Sequence, residues 1–64
     1  MEWINFVDEL PSKPKHLYNA KFRRYASLIR VEEDNRIYDT VSRTYIVEAQ
    51  YSDYYWLKED KSIL

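Results

Sequence analysis

Residues 15–31, KHLYNAKFRRYASLIRV, decide how this chain is read. At 100° per residue, Tyr18, Phe22, Tyr25, Ala26, Leu28 and Ile29 fall within one half of a helical wheel. Asn19, Arg23, Ser27 and Arg30 fall on the other half. A strand reading is also available, because Tyr25, Ile29 and Val31 share parity. It puts Phe22 and Leu28 on the opposite face, however, and arginines on both. The helix sorts the side chains better, and Ala, Leu, Lys and Arg favour it. The stretch predicts an amphipathic helix over residues 15–31.

Working outward, Trp3, Phe6, Val7 and Leu10 stand at i, i+3, i+4 and i+7, which predicts a short helix over 2–10. Pro11 ends it, and Ser12 with Pro14 can open the second helix. Downstream, Glu32-Glu33-Asp34-Asn35 breaks the pattern, and the residues from Arg36 to Tyr51 are rich in Ile, Val, Thr and Tyr, which suit a pleated surface. Ile37, Val41, Tyr45, Val47, Ala49 and Tyr51 share parity. Two strands are expected, near 36–41 and 44–51, with Ser42-Arg43 at the bend, and one long bent strand is the competing reading. Residues 54–57 offer a short third strand, and the polar tail over 58–64 is expected to fray. The expectation is an α+β fold, with two N-terminal helices packed on a small antiparallel sheet in one domain spanning residues 1–64.

Eleven of the 64 residues are aromatic, seven of them tyrosine, and there is neither glycine nor cysteine. A chain this short buries only about 60% of its unfolded surface. Without cysteine it has no disulfide to lean on, so stability must come from its rings and aliphatic side chains or from association. Homodimerisation is an open alternative. The 45% apolar fraction is that of a folded protein. No stretch approaches 18 apolar residues, which argues against a membrane span, and Met1-Glu2-Trp3 has no basic signal region. A cytoplasmic location is expected.

The same composition narrows the chemistry. A single histidine, His16, and no cysteine give no zinc ligand set. Glu32-Glu33-Asp34 lacks the glycine-centred spacing of a calcium loop and reads as a solvated turn. Phosphate-cradling loops need glycine and are excluded. Asp8 and Glu9 are sequence neighbours, so they do not face one another on a helix as an acid–base pair. A chain of this size barely encloses a pocket of about 300 Å³ without losing its core. No cofactor, no metal and no enzymatic activity are expected.

Two surfaces remain. The first is the aromatic and acidic run Tyr51, Asp53, Tyr54, Tyr55 and Trp56, which suits a protein hot spot, with one exposed strand edge beside it. Its partner would be a larger protein with a basic or mixed-charge surface, occluded or locked by the small chain as phage and mobile-element inhibitors do to host proteins. The second is basic: Lys15, Asn19, Lys21, Arg23, Arg24 and Arg30 on the predicted second helix, an alternative DNA- or RNA-binding face. Two helices followed by a strand pair are similar in outline to helix-turn-helix modules with a β wing. Residues 1–31 carry six basic and three acidic side chains, and residues 32–64 carry four basic and eight acidic. The isoelectric point near 5.7 is far below that of most nucleic-acid domains, which exceed about 9. Protein binding is therefore the leading expectation.

Overall fold

The computed structural model describes residues 2–58. It corrects the α+β expectation, because neither predicted helix exists. Among the described residues six strands form one antiparallel sheet: β1 (Trp3–Asn5), β2 (Leu17–Phe22), β3 (Tyr25–Val31), β4 (Ile37–Asp39), β5 (Thr44–Ile46) and β6 (Tyr54–Leu57). A 3-10 helix, Glu48–Asp53, precedes β6. The spatial order is β1-β6-β2-β3-β4-β5. Strands β2 to β5 thus form a meander, and the last strand returns to insert between the first two.

The segment predicted as the second helix is the β2–β3 hairpin. Phe22 pairs with Tyr25 across a two-residue loop, Arg23-Arg24. A two-residue loop changes parity: even positions in β2 share a face with odd positions in β3. Tyr18 and Ala20 therefore join Ile29 and Val31 in the core, with Phe22 packed against it. Judged with a single parity throughout, the stretch had seemed to scatter its apolar residues. The usual marker of such a loop is glycine in the left-handed region, and this chain has none. Arg23 takes that conformation itself, at φ 57°. Its N–H donates to the Asp53 carbonyl at 2.7 Å, which fastens the hairpin to the end of the 3-10 helix.

The first predicted helix is β1 followed by a turn over Phe6–Asp8. Asn5 fixes it: its side-chain oxygen accepts from the Val7 N–H, and its amide donates to the Ser52 and Tyr54 carbonyls. Of the supposed apolar stripe only Phe6 is buried, while Trp3, Val7 and Leu10 are exposed. The downstream expectation survives in part. Strands β4 and β5 do form a hairpin, Ile37↔Ile46 and Tyr38↔Tyr45, rather than one bent strand. The loop between them includes Arg43 at φ 63°. The predicted 44–51 strand stops at Ile46, because Glu48-Ala49-Gln50, all good helix formers, open the 3-10 helix. The short strand expected at 54–57 is β6. Of the tail expected to fray, only Lys58 lies within the described residues.

With no helix among the described residues to cover it beyond the short 3-10 turn, the sheet must hide its apolar face in its own curvature. Phe6, Tyr18, Ala20, Ile29, Val31, Ile37, Ile46, Tyr54 and Trp56 form a single cluster. Ring contacts knit it together: Phe6 with Tyr51 and Tyr54, Phe22 with Tyr54, and Tyr18 edge-on to Trp56 at 5.1 Å. The Trp56 indole N–H donates to the Glu9 carbonyl at 2.8 Å, which carries the chain after β1 across one end of the core.

Among the described residues the buried polar one is Asp39, at 2% exposure. One carboxylate oxygen accepts from the Ser27 hydroxyl and from the Val41 and Ser42 N–H groups. The other accepts from the Tyr54 hydroxyl. Burial pushes the Asp39 carboxyl up, but these four donors outweigh it and hold it below the ordinary carboxylate range. The same burial, together with the neighbouring carboxylate, pushes the Tyr54 phenol far up.

Asp39→Ala would leave four donors without their acceptor, and should cost about 3–5 kcal/mol in urea unfolding. Because the folded carboxyl titrates below its unfolded value of about 3.9, its contribution is complete above that pH. It should fall away as pH drops through the two values, so acid unfolding of Asp39→Asn should lack that component. Arg43→Gly relieves a left-handed residue bearing a Cβ, and should raise stability by about 0.5–1 kcal/mol in the same assay.

Candidate functional site

Strand alternation sorts the expected anchors. Tyr54 and Trp56 point inward and are each 3% exposed. Tyr55 points outward, half-buried, with the Lys21 ammonium 5.5 Å from its ring centroid. Tyr51 lies on the 3-10 helix and packs against Phe6, and Asp53 faces Arg23 at 3.5 Å. The C-terminal run is therefore split: two of its rings are core and one belongs to the outer face.

That outer face is the candidate site. The register sets Trp3 of β1, Tyr55 of β6, Asn19 and Lys21 of β2, Ala26, Leu28 and Arg30 of β3, Tyr38 of β4 and Tyr45 of β5 on one side of the sheet. Two aromatic–cation groups flank it. At one end Lys21 sits 4.5 Å from the Trp3 ring centroid and also contacts Tyr55. At the other, Tyr38 and Tyr45 meet edge-on at 5.0 Å, with Arg30 over Tyr38 and Arg36 over Tyr45 at 4.3 Å. Each such contact contributes about 0.5–1 kcal/mol at an exposed site and favours the observed ring pose. Leu17, 53% exposed, and Leu28, 37% exposed, lie between the two groups.

The residues of the basic alternative do not form one surface. Lys15 precedes β2 and meets Glu33 at 2.9 Å. Arg23 and Arg24 occupy the hairpin loop at one end of the sheet, while Asn19, Lys21 and Arg30 stand on the outer face. Arg30 is held by Glu32, and Arg36 by Asp34, each at 2.8 Å. Hydrogen bonding to these carboxylates raises both guanidinium pKa values. The Arg36 backbone N–H, with its guanidinium, lowers that of Asp34. Three of the six residues of the nucleic-acid-binding alternative, Lys15, Arg23 and Arg30, thus already face an acid.

Sequence reasoning did not find Trp3, Leu17, Tyr38 or Tyr45 as surface residues. Tyr45 shares parity with Ile37 but not its face, because the β4–β5 loop changes the parity. The signal present in the sequence was the alternation in Thr44-Tyr45-Ile46, which pairs Tyr45 with an even-numbered residue once the loop is placed. Among the described residues no group of three His, Cys, Asp or Glu side chains is placed to hold a metal, and no helix is long and apolar enough to cross a membrane. Comparison with protein-family models, curated proteins and solved structures finds no significant match.

The division of the C-terminal rings has a direct check. Tyr54→Phe removes a buried hydroxyl from a carboxylate and should cost about 1.5–3 kcal/mol. Tyr55→Phe should change stability by less than about 0.5 kcal/mol. Paired urea titrations of the two variants measure the difference.

Proposed function

We propose that the chain is a non-enzymatic protein-binding module that docks through the outer face of its sheet. The observation that carries this reading is the ordered aromatic–cation face between Trp3 and Tyr45. Tryptophan, tyrosine and arginine dominate hot spots because they bring large area at low entropic cost. Here each ring has a cation beside it that favours its pose, which lowers the ordering cost of docking. Leu17 and Leu28 supply apolar area between the two groups.

Charge favours a protein over a nucleic acid as the partner. Phosphates bind guanidinium groups that are free to receive them, whereas Arg30 and Arg36 are engaged by Glu32 and Asp34. A mixed-charge face of this kind suits a mixed-charge protein surface, with complementary pairs at the rim. Occlusion of the partner's own working surface is the simplest action for so small a body, and it needs no chemistry from this chain.

The double variant Trp3→Ala, Tyr45→Ala should lower recovery of the partner from native lysate by about 30-fold or more in apparent affinity. Val7→Ala, in the turn after β1, should leave recovery unchanged. Quantitative pull-down with wild-type and variant baits measures both. Loss of the partner on nuclease treatment, or on Lys15→Glu with Arg24→Glu, would favour the DNA- or RNA-binding alternative instead.

A further inference from the structure

A pocket of about 260 Å³ opens where β3 runs on past the end of β4, and its walls include Phe22, Tyr25, Ser27, Asp39, Val41 and Tyr54. It opens on the inner side of the sheet and shares only Ala26 with the face described above. The Asp39 carboxylate lines it with an unusual set of partners. Its four hydrogen-bond donors are two hydroxyls and two backbone N–H groups. No cationic side chain of the described residues lies within ion-pair distance of it. Buried carboxylates are ordinarily paired with a cation or a metal.

We propose that this pocket binds an alkylammonium group, as carried by a lysine side chain, with Asp39 as its counter-ion. The arrangement of donors selects the shape of the cation. A carboxylate oxygen accepts about two hydrogen bonds. The oxygen facing Ser27, Val41 and Ser42 is therefore full, and the one facing Tyr54 keeps room for one more donor. A guanidinium fork needs both oxygens, whereas an ammonium is a point donor that needs one. The rings of Phe22 and Tyr25 and the side chain of Val41 then line the alkyl stem, with aromatic faces beside the charge. Pairing of β3 with β4 reaches only to Leu28, whose carbonyl accepts from the Thr40 N–H. Among the described residues no strand pairs with the β4-side edge of β3 from Tyr25 to Ser27, beside the pocket. An extended peptide can lie along that edge while its lysine enters. The site is independent of the outer-face reading.

The test follows backbone amide shifts of the intact chain by NMR. The probes are n-butylammonium, n-butanol, n-propylguanidinium and a capped pentapeptide with a central lysine between threonines. Saturable shifts at Ser27, Val41 and Ser42 are expected with n-butylammonium, at least tenfold weaker binding with n-butanol, and weaker binding with the guanidinium. Tighter binding of the peptide than of the free amine identifies a lysine side chain as the source, and equal binding identifies a small amine. Asp39→Asn would change the fold's own hydrogen bonds along with the site, so the variant used is Val41→Lys, at an exposed position on the rim. It should weaken n-butylammonium binding at least fivefold by placing a like charge at the entrance. Equal binding of n-butanol, equal or tighter binding of the guanidinium, unchanged affinity in Val41→Lys, or no saturable shift at these residues up to 100-fold excess of amine would overturn the proposal.

Discussion

The hydrogen bond from the Tyr54 hydroxyl to Asp39 sets the shape of this molecule. Tyr54 belongs to β6 and Asp39 to β4, and β2 and β3 lie between them in the sheet. In a flat sheet three strand spacings would separate the two strands by roughly 14 Å, more than one tyrosine side chain bridges. The contact exists because the sheet coils until its inner face closes on itself. Ser27 of β3 donates to the same carboxylate, so three strands share one buried charge. The apolar cluster supplies the driving force for burial. The carboxylate selects one curvature among those the cluster would tolerate, since only one arrangement satisfies all four donors.

Coiling a short chain this tightly requires abrupt turns, and the chain makes them without glycine. Lys15, Arg23, Asn35 and Arg43 all take left-handed φ values between 57° and 72°. Asparagine tolerates that region, and the other three pay steric strain on the order of 1 kcal/mol each. The strain is offset locally. Lys15 donates its N–H to the Val31 carbonyl, Arg23 to Asp53 and Arg43 to Asp39, each at 2.8 Å or less. Two of the four also carry an ion pair, Lys15 with Glu33 and Arg23 with Asp53. Long charged side chains at the turns keep the ends of the sheet hydrated where glycine would leave bare backbone.

These turns also explain what could be read from the sequence. Local composition was informative where a strand stood alone: Ile37 to Asp39 and Tyr54 to Leu57 were legible as β from their ring and branched side chains. Residues 15–31 were not, because a hairpin with a two-residue loop reverses parity at a point that only a turn signal reveals. Arg23-Arg24 gives none. The helical wheel then sorted Tyr18, Phe22, Tyr25 and Ile29 as well as a helix would, by coincidence of spacing. The outer face was hidden for the same reason. Which of Tyr54, Tyr55 and Trp56 points outward follows from pairing with Lys21 and Ala20, a long-range relation that composition does not carry. Asp39 shares its parity with Ile37 and Val41, and nothing local in the sequence marks it as the polar centre of the interior.

The strand order carries a consequence for how the chain acquires its shape during synthesis. Residues 54–57 fill the gap between β1 and β2, so β1 has no partner in the sheet until β6 has emerged from the ribosome. The β2–β5 meander can assemble early from near-neighbour contacts. Its inner face stays wet, and Asp39 stays without its phenol, until Tyr54 arrives. Closure is thus a late, long-range event. A nascent chain stalled before Trp56 would display the oily side of a half-built sheet to chaperones and proteases.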